Sequence, residues 1–341
     1  MKLKKLFAGI VAVAMMATMG ATSVFATEKV VGDDKIPVDG SKFTITKTYN
    51  VTGIAPDEEF ELTQSKASAS KTSITDFTTN TNYDLVIGKA KHTNNASGAV
   101  TTGFEVTLPN YGNHPGIYTY TLKEKDNGIA GVTYDPNEYT LTVYAVQKDA
   151  SENGTANELQ FKVRLDVKGA TEGSDSYKLT GLTNTYTSNT IKVTKKVKGN
   201  LADRDKTFAF KATFSGTENM KGKIMVDNEA ITLTDNEYKF NLKHGQSIEF
   251  TNVPTGVTAI VSELNAAGDA VENNTLNDTY TVRYDSKTKE NGNVEWTVTN
   301  DSNEHVDTGV ILDNAPYIAL LTIVAAGAVV MILKKRRNYE D

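Results

Sequence analysis

The 341-residue chain contains no cysteine. Disulfides, thiolate nucleophiles and cysteine-ligated metals are therefore excluded. Histidine is scarce as well: His92, His114, His244 and His305 are scattered, with no HExxH or other spacing that a zinc site needs. A basic excess is lacking too. Against 36 Lys and Arg stand 42 Asp and Glu, so nothing in the charge balance points to nucleic acid or an anionic membrane surface as partner. No GxSxG elbow or Walker-type loop is present; 216–223 has the wrong spacing and lacks the closing Ser or Thr. The acidic pairs Asp33/Asp34 and Asp203/Asp205 read as solvated turns rather than calcium ligands. These absences leave no site for a turnover enzyme, and no cofactor or metal is expected. Long amphipathic helices are also missing; at most a helical turn or two is expected over 64–69 or 202–206.

Long apolar runs occur only at the two ends. Residues 1–26 combine a Lys-rich start, an apolar run and a small-residue close at Val24, Phe25 and Ala26, which reads as a secretory signal peptide, with an amino-terminal anchor as the alternative. Residues 27–40 are polar and read as a flexible leader. At the far end, 317–333 is apolar and is followed by Lys334, Lys335, Arg336 and Arg337, the pattern of a transmembrane segment with a cytoplasmic stop-transfer cluster. The chain is thus expected to be secreted, and to hold itself together without disulfides.

Between the ends, short alternating runs rich in Thr, Val, Tyr and Ile are separated by Gly, Asn, Asp and Pro, which predicts an all-β fold of sandwich type. The text turns over at Ser188, Asn189 and Thr190, giving two tandem domains, 41–187 and 188–301, with 302–341 as a tail. In each domain, apolar stripes end in a polar misfit. Phe43 and Ile45 lead to Lys47; Tyr118, Tyr120 and Leu122 lead to Glu124; Leu182 leads to Asn184. The second domain repeats the order: Ile191 and Val193 lead to Lys195, Val257 to Val261 lead to Glu263, and Val294, Trp296 and Val298 lead to Asn300.

Burial raises the pKa of a carboxyl and lowers that of an amine, so an inward Lys and Glu can face one another as neutral amine and neutral acid. A neutral Lys is a nucleophile, and an Asn side chain within reach offers it a carbonyl carbon and ammonia as leaving group. The alternative at any single position is a strand-end polar residue whose head reaches solvent. Repetition of the same three residue types, in one order, in two successive domains favours the chemical reading.

The stretches FTITK, GIYTYTLKE, GVTYDPNEYTLTVYA, LTNTY, IKVTKKVKGN, TNVPTG and VTNDS, spread over nearly all of 41–301, resemble the two-domain backbone (major) pilins of Gram-positive bacteria. That resemblance implies immunoglobulin-like domains of the collagen-adhesin (Cna) B type with self-generated Lys–Asn isopeptide bonds. It pairs Lys47 with Asn184, with Glu124 as catalyst, and Lys195 with Asn300, with Glu263 as catalyst. The tail is similar to the sorting signal of Gram-positive surface proteins: a 305–309 motif of His305, Val306, Asp307, Thr308 and Gly309, then an apolar span at 317–333 and a basic tail at 334–341. Asp307 departs from the xVPTG form of some pilins, which has Pro there. The resemblance implies a transient membrane anchor, cleavage between Thr308 and Gly309 by a pilus-type sortase, and a covalent homopolymer on the cell wall. Minor or tip pilins and peptidoglycan are its further partners. Lys178, six residues before Asn184, matches the family's acceptor lysine within one residue; Lys168 and Lys162 are the alternatives. A second functional reading is a monomeric wall-anchored adhesin that binds a host ligand.

Overall fold

β-branched and aromatic side chains at every second position suit the pleated, half-buried surface of a strand better than a helix. The computed structural model describes residues 35–93, 97–148, 158–200 and 202–302, and there the protein is all-β. The expected signal peptide, most of the leader, the 305–309 motif with Thr308 and Gly309, the apolar span and the basic tail lie outside the described residues. The helical content among the described residues is a single 3-10 turn, Thr81–Tyr83, capped by Asn80, whose side-chain oxygen accepts from the Asn82 N–H.

The buried apolar residues form two cores, one spanning Ile36 to Tyr186 and the other Ile191 to Val298. In the amino-terminal sandwich, Lys42–Thr52 pairs antiparallel with Gly98–Thr107 and parallel with the first half of Gly181–Lys198. The other sheet runs in the order Leu159–Val167, Glu138–Gln147, Gly116–Glu124, Leu62–Ser70. In the carboxy-terminal sandwich, the second half of Gly181–Lys198 pairs antiparallel with Ser247–Pro254 and parallel with Val294–Ser302. Its other sheet runs in the order Glu237–Leu242, Phe208–Ser215, Thr258–Glu263. In both sandwiches the first and last strands are therefore parallel neighbours, a pairing that needs the whole intervening chain as its crossover.

Gly181–Lys198 is one strand of 18 residues, closing the first sandwich and opening the second. The short polar break between two strands expected at Ser188, Asn189 and Thr190 is absorbed into it. Ser188 and Asn189 pair with Pro254 and Val253, and a register shift between Asn189 and Ile191 takes up the irregularity. The helical turn expected at 64–69 is likewise extended, because Leu62–Ser70 pairs along Gly116–Glu124 with a shift between Lys66 and Ser68. Residues 202–206 are not helical either. Ile36, inside the stretch read as leader, is buried in the first core, and Asp39 bridges Lys42 to start the first strand.

The sandwiches meet over polar contacts. Asn252, buried and at φ 55, accepts from the Ile54 N–H at 2.7 Å and donates to the carbonyls of Ile54 at 2.9 Å and Lys223 at 2.8 Å. Asn tolerates this left-handed backbone better than most residues. Beside it, the Gly131 N–H donates to the Thr255 carbonyl at 3.0 Å, and the Thr255 N–H to the Thr187 carbonyl at 3.0 Å.

Candidate functional site

The six misfits converge into two buried sets, one per sandwich. In the first, period-2 alternation turns Lys47 inward from the opening strand and Asn184 inward from the closing strand. Lys47 stands in register with Leu182, so Asn184 lies two residues further along the same face. Glu124, the last residue of Gly116–Glu124, reaches them from the other sheet. All three are buried.

The Lys47 Nζ lies 2.6 Å from Glu124 Oε1, at an angle that makes no proper hydrogen bond, and 4.8 Å from the centre of the Phe60 ring. Asn184 Nδ2 donates to Glu124 Oε1 at 3.1 Å. The Asp135 N–H donates to Asn184 Oδ1 at 2.8 Å and, more weakly, to Glu124 Oε2 at 3.2 Å. Burial lowers the Lys47 amine, against the opposing pull of the Glu124 charge, and burial raises the Glu124 carboxyl. Both shifts favour the neutral forms.

The second set repeats the plan. Lys195 is in register with Val298 on the parallel strand, and Asn300 lies two residues beyond; Glu263 ends Thr258–Glu263 on the other sheet. All three are fully buried. Lys195 Nζ donates to Glu263 Oε2 at 3.1 Å and to Asn300 Oδ1. Asn300 Nδ2 donates to Glu263 Oε1 at 2.8 Å. Nζ sits 4.3 Å from the Phe208 ring centre and 5.7 Å from that of Phe210. Burial pulls the Lys195 amine down to about 8, although the Glu263 charge opposes it. Each set thus holds an amine of weakened basicity and an amide, with a carboxyl contacting both, in a pocket closed to water; in the second set the amine also touches the amide oxygen. That arrangement can support acyl transfer from the amide to the amine.

Lys178 is outside both sets. It is half-buried on the return from Leu159–Val167, with φ 52, and its N–H donates to Oδ1 of the buried Asp166 at 2.8 Å. Asp166 Oδ2 also accepts from Arg164 Nε at 2.7 Å, and the Arg164 guanidinium lies 4.9 Å from the Tyr177 ring centre. Lys168 is in an exposed ion pair with Glu138 at 2.7 Å. The Asp135 main-chain donor was not legible in the sequence. A peptide N–H carries no residue signature, and only the Asp135-Pro136 turn signal marked the place.

Comparison with known proteins gives two family matches. Residues 28–187 match the Spy0128-like isopeptide containing domain, and residues 189–308 match a domain of unknown function, DUF7601. A pilin of Streptococcus pyogenes serotype M1 is 29% identical, the alignment covering 94% of this chain and 98% of that protein. Among solved structures, the major pilin of Streptococcus pyogenes is 23% identical, covering 78% of this chain and 99% of that one with a TM-score of 0.49. The T3.2 major pilin of the same species is 21% identical over 78% and 99%, with the same TM-score. With its amino-terminal sandwich in the Spy0128-like isopeptide family and a pilin relative along almost its whole length, the chain is similar to the Gram-positive backbone pilins and is a structural subunit of a pilus.

Proposed function

We propose that each buried set closes itself once into a Lys–Asn isopeptide bond, Lys47 to Asn184 and Lys195 to Asn300, and that the shaft is built from subunits stiffened in this way. The Nζ attacks Cγ of the asparagine, the new C–N bond forms, and the Cγ–Nδ2 bond breaks. One proton leaves Nζ for the carboxyl of Glu124 or Glu263, and one reaches the departing nitrogen from that carboxyl, so that ammonia is released and the carboxyl is regenerated. The observation that carries this reading is the shared offset: in both sandwiches the asparagine lies two residues past the register partner of the lysine, with a carboxyl from the opposite sheet against both.

Each bond would join the first strand of a sandwich to the last. Pull along the shaft would then pass through covalent links and the continuous strand Gly181–Lys198 rather than unzip a sheet. Subunits are joined by a pilus-type sortase, which cuts between Thr308 and Gly309 and transfers Thr308 to Lys178 of another copy; the finished polymer is fixed to the cell wall. The monomeric adhesin reading has no observation in its favour, whereas the full-length relative is a pilin.

Intact mass tests the central step. The wild-type chain should weigh two ammonia less than its sequence, and Glu124→Ala and Glu263→Ala should each restore one. The full sequence mass in the wild type would remove the reading.

A further inference from the structure

The Glu263 carboxyl has a partner that the Lys–Glu–Asn scheme does not require. Asn277 Nδ2 donates to Glu263 Oε1 at 2.8 Å, the same oxygen that accepts from Asn300 Nδ2 at 2.8 Å. The Asn277 nitrogen also lies 3.4 Å from the Leu264 carbonyl. Both neighbours of that nitrogen are acceptors, which fixes the sense of the amide. Asn277 ends the short strand Thr275–Asn277, paired with Tyr280–Thr288, and stands in the wall of a surface groove shared with Lys206, Phe208, Leu264, Leu276 and Asp278. Its side chain thus links that groove to the buried carboxyl.

A carboxyl that must serve two nitrogens needs a fixed rotation about its last bond. Oε2 faces the amine, with Lys195 Nζ at 3.1 Å, and Oε1 faces the leaving nitrogen of Asn300. Lys195 Nζ and Asn300 Nδ2 both change their bonding as the reaction runs, so neither can hold the carboxyl throughout. Asn277 does not react. In the amino-terminal sandwich the donor from outside the set is the Asp135 main-chain N–H, on Glu124 Oε2 and Asn184 Oδ1, so no side-chain deletion removes it.

We propose that Asn277 is a positioning residue for bond formation in the carboxy-terminal sandwich: its amide holds Glu263 so that one oxygen addresses Lys195 and the other the departing nitrogen of Asn300. The inference rests on the isopeptide reading and adds a residue to it.

The test follows bond closure in the full chain made by cell-free synthesis, quenched in denaturant at intervals, with the ammonia loss of each sandwich read from its peptides. The Lys47–Asn184 bond in the same molecule is the internal control. Asn277→Ala should slow closure of Lys195–Asn300 about tenfold, the size expected for one lost buried hydrogen bond, and leave Lys47–Asn184 unchanged. Asn277→Asp distinguishes positioning from simple support. The titratable groups packed on Glu263 are Lys195 from the long strand and Tyr284 from Tyr280–Thr288, and those lining the groove with position 277 are Lys206 and Asp278, ion-paired at 2.7 Å; all remain in each variant. Relative to Asn277→Ala at the same pH, Asn277→Asp should close faster as pH falls, because the introduced carboxyl regains a donor once protonated, and no faster at neutral pH. Wild-type closure rates in Asn277→Ala, or identical pH profiles for the two variants, overturn the proposal. A wild-type chain that never loses ammonia at Lys195–Asn300 overturns the isopeptide reading instead.

Discussion

Lys195 and Asn300 lie on neighbouring parallel strands, with the lysine opposite Val298 and the asparagine two residues further along the same buried face. Because the strands are the first and last of their sandwich, a bond between these residues closes a loop of roughly a hundred residues. By analogy with a disulfide, that closure is worth about 5 kcal/mol through the restricted unfolded chain. Asn300→Ala should therefore give a folded carboxy-terminal sandwich, without the ammonia loss at this site, that melts well below wild type in calorimetry. A variant with unchanged melting would show that no covalent closure supports this half.

The amine at Lys195 gives a pH prediction whose sign follows from burial. In Asn300→Ala no bond can form, so Lys195 remains titratable with its pKa pulled down to about 8, whereas the unfolded chain has an ordinary lysine near 10.5. Below pH 8 both states hold the proton and the folded state bears the full cost of a buried cation. Between about 8 and 10.5 the unfolded chain binds the proton that the folded chain has lost, so stability rises with pH in that window. Denaturant titrations of Asn300→Ala should show this rise. Lys195→Met/Asn300→Ala should be flat by comparison, and a flat Asn300→Ala would place the amine in water.

Those residues were legible in the sequence because a polar side chain breaks a period-2 apolar stripe, and because the break recurs in one order in both halves. Lys47, Glu124 and Asn184, like Lys195, Glu263 and Asn300, needed only the pleat to be read inward. Other features had no such signal. Ser188, Asn189 and Thr190 have turn composition, and they stay in a strand only because Val253 and Pro254, about 65 residues away, supply the pairing. Gln64 to Ala69 show weak alternation, and their extended state is fixed by the neighbouring Gly116–Glu124. Asn252 and Asn277 look like ordinary loop amides until the fold brings Ile54 to one and Glu263 to the other.

Asn252 carries the junction between the sandwiches through two hydrogen bonds to Ile54, while a third ties the same side chain to Lys223 of its own sandwich. Asn252→Ala leaves the N–H and carbonyl of Ile54 without those partners and keeps a β-carbon at positive φ. The expected loss is about 2 to 3 kcal/mol. Asn252→Gly should lose less, because it removes the hydrogen bonds but relieves the backbone. Limited proteolysis should cut Asn252→Ala near residues 52–55 faster than wild type; equal rates would mean that the remaining contacts, such as Gly131 to Thr255, suffice.

The acceptor lysine is tested on assembled material. If Thr308 is transferred to Lys178, Lys178→Arg should collapse the high-mass ladder of cell-wall extracts to monomer while both intramolecular bonds still form. Peptide mapping of wild-type polymer should find the branch at Lys178. A ladder that survives Lys178→Arg, with the branch at Lys168 or Lys162, transfers the role to that residue.

Gly181 gives the sharpest steric test, because it touches the bonding chemistry only through strand spacing. It pairs with Thr46, one residue before Lys47, and a β-carbon placed there would stand 1.8 Å from the Thr46 carbonyl oxygen and 2.5 Å from its carbon. Both are main-chain atoms, so no side-chain rotation relieves the clash, and the two parallel strands must separate. Asn184 lies three residues along the displaced strand, and an acyl transfer needs its reacting atoms within about 3.5 Å. Gly181→Ala should therefore leave the amino-terminal sandwich short of its ammonia loss in a substantial fraction of molecules while Lys195–Asn300 closes normally. Complete closure of both bonds would mean that the strands shift along one another and still bring Lys47 to Asn184, in which case the register offset does not control the reaction.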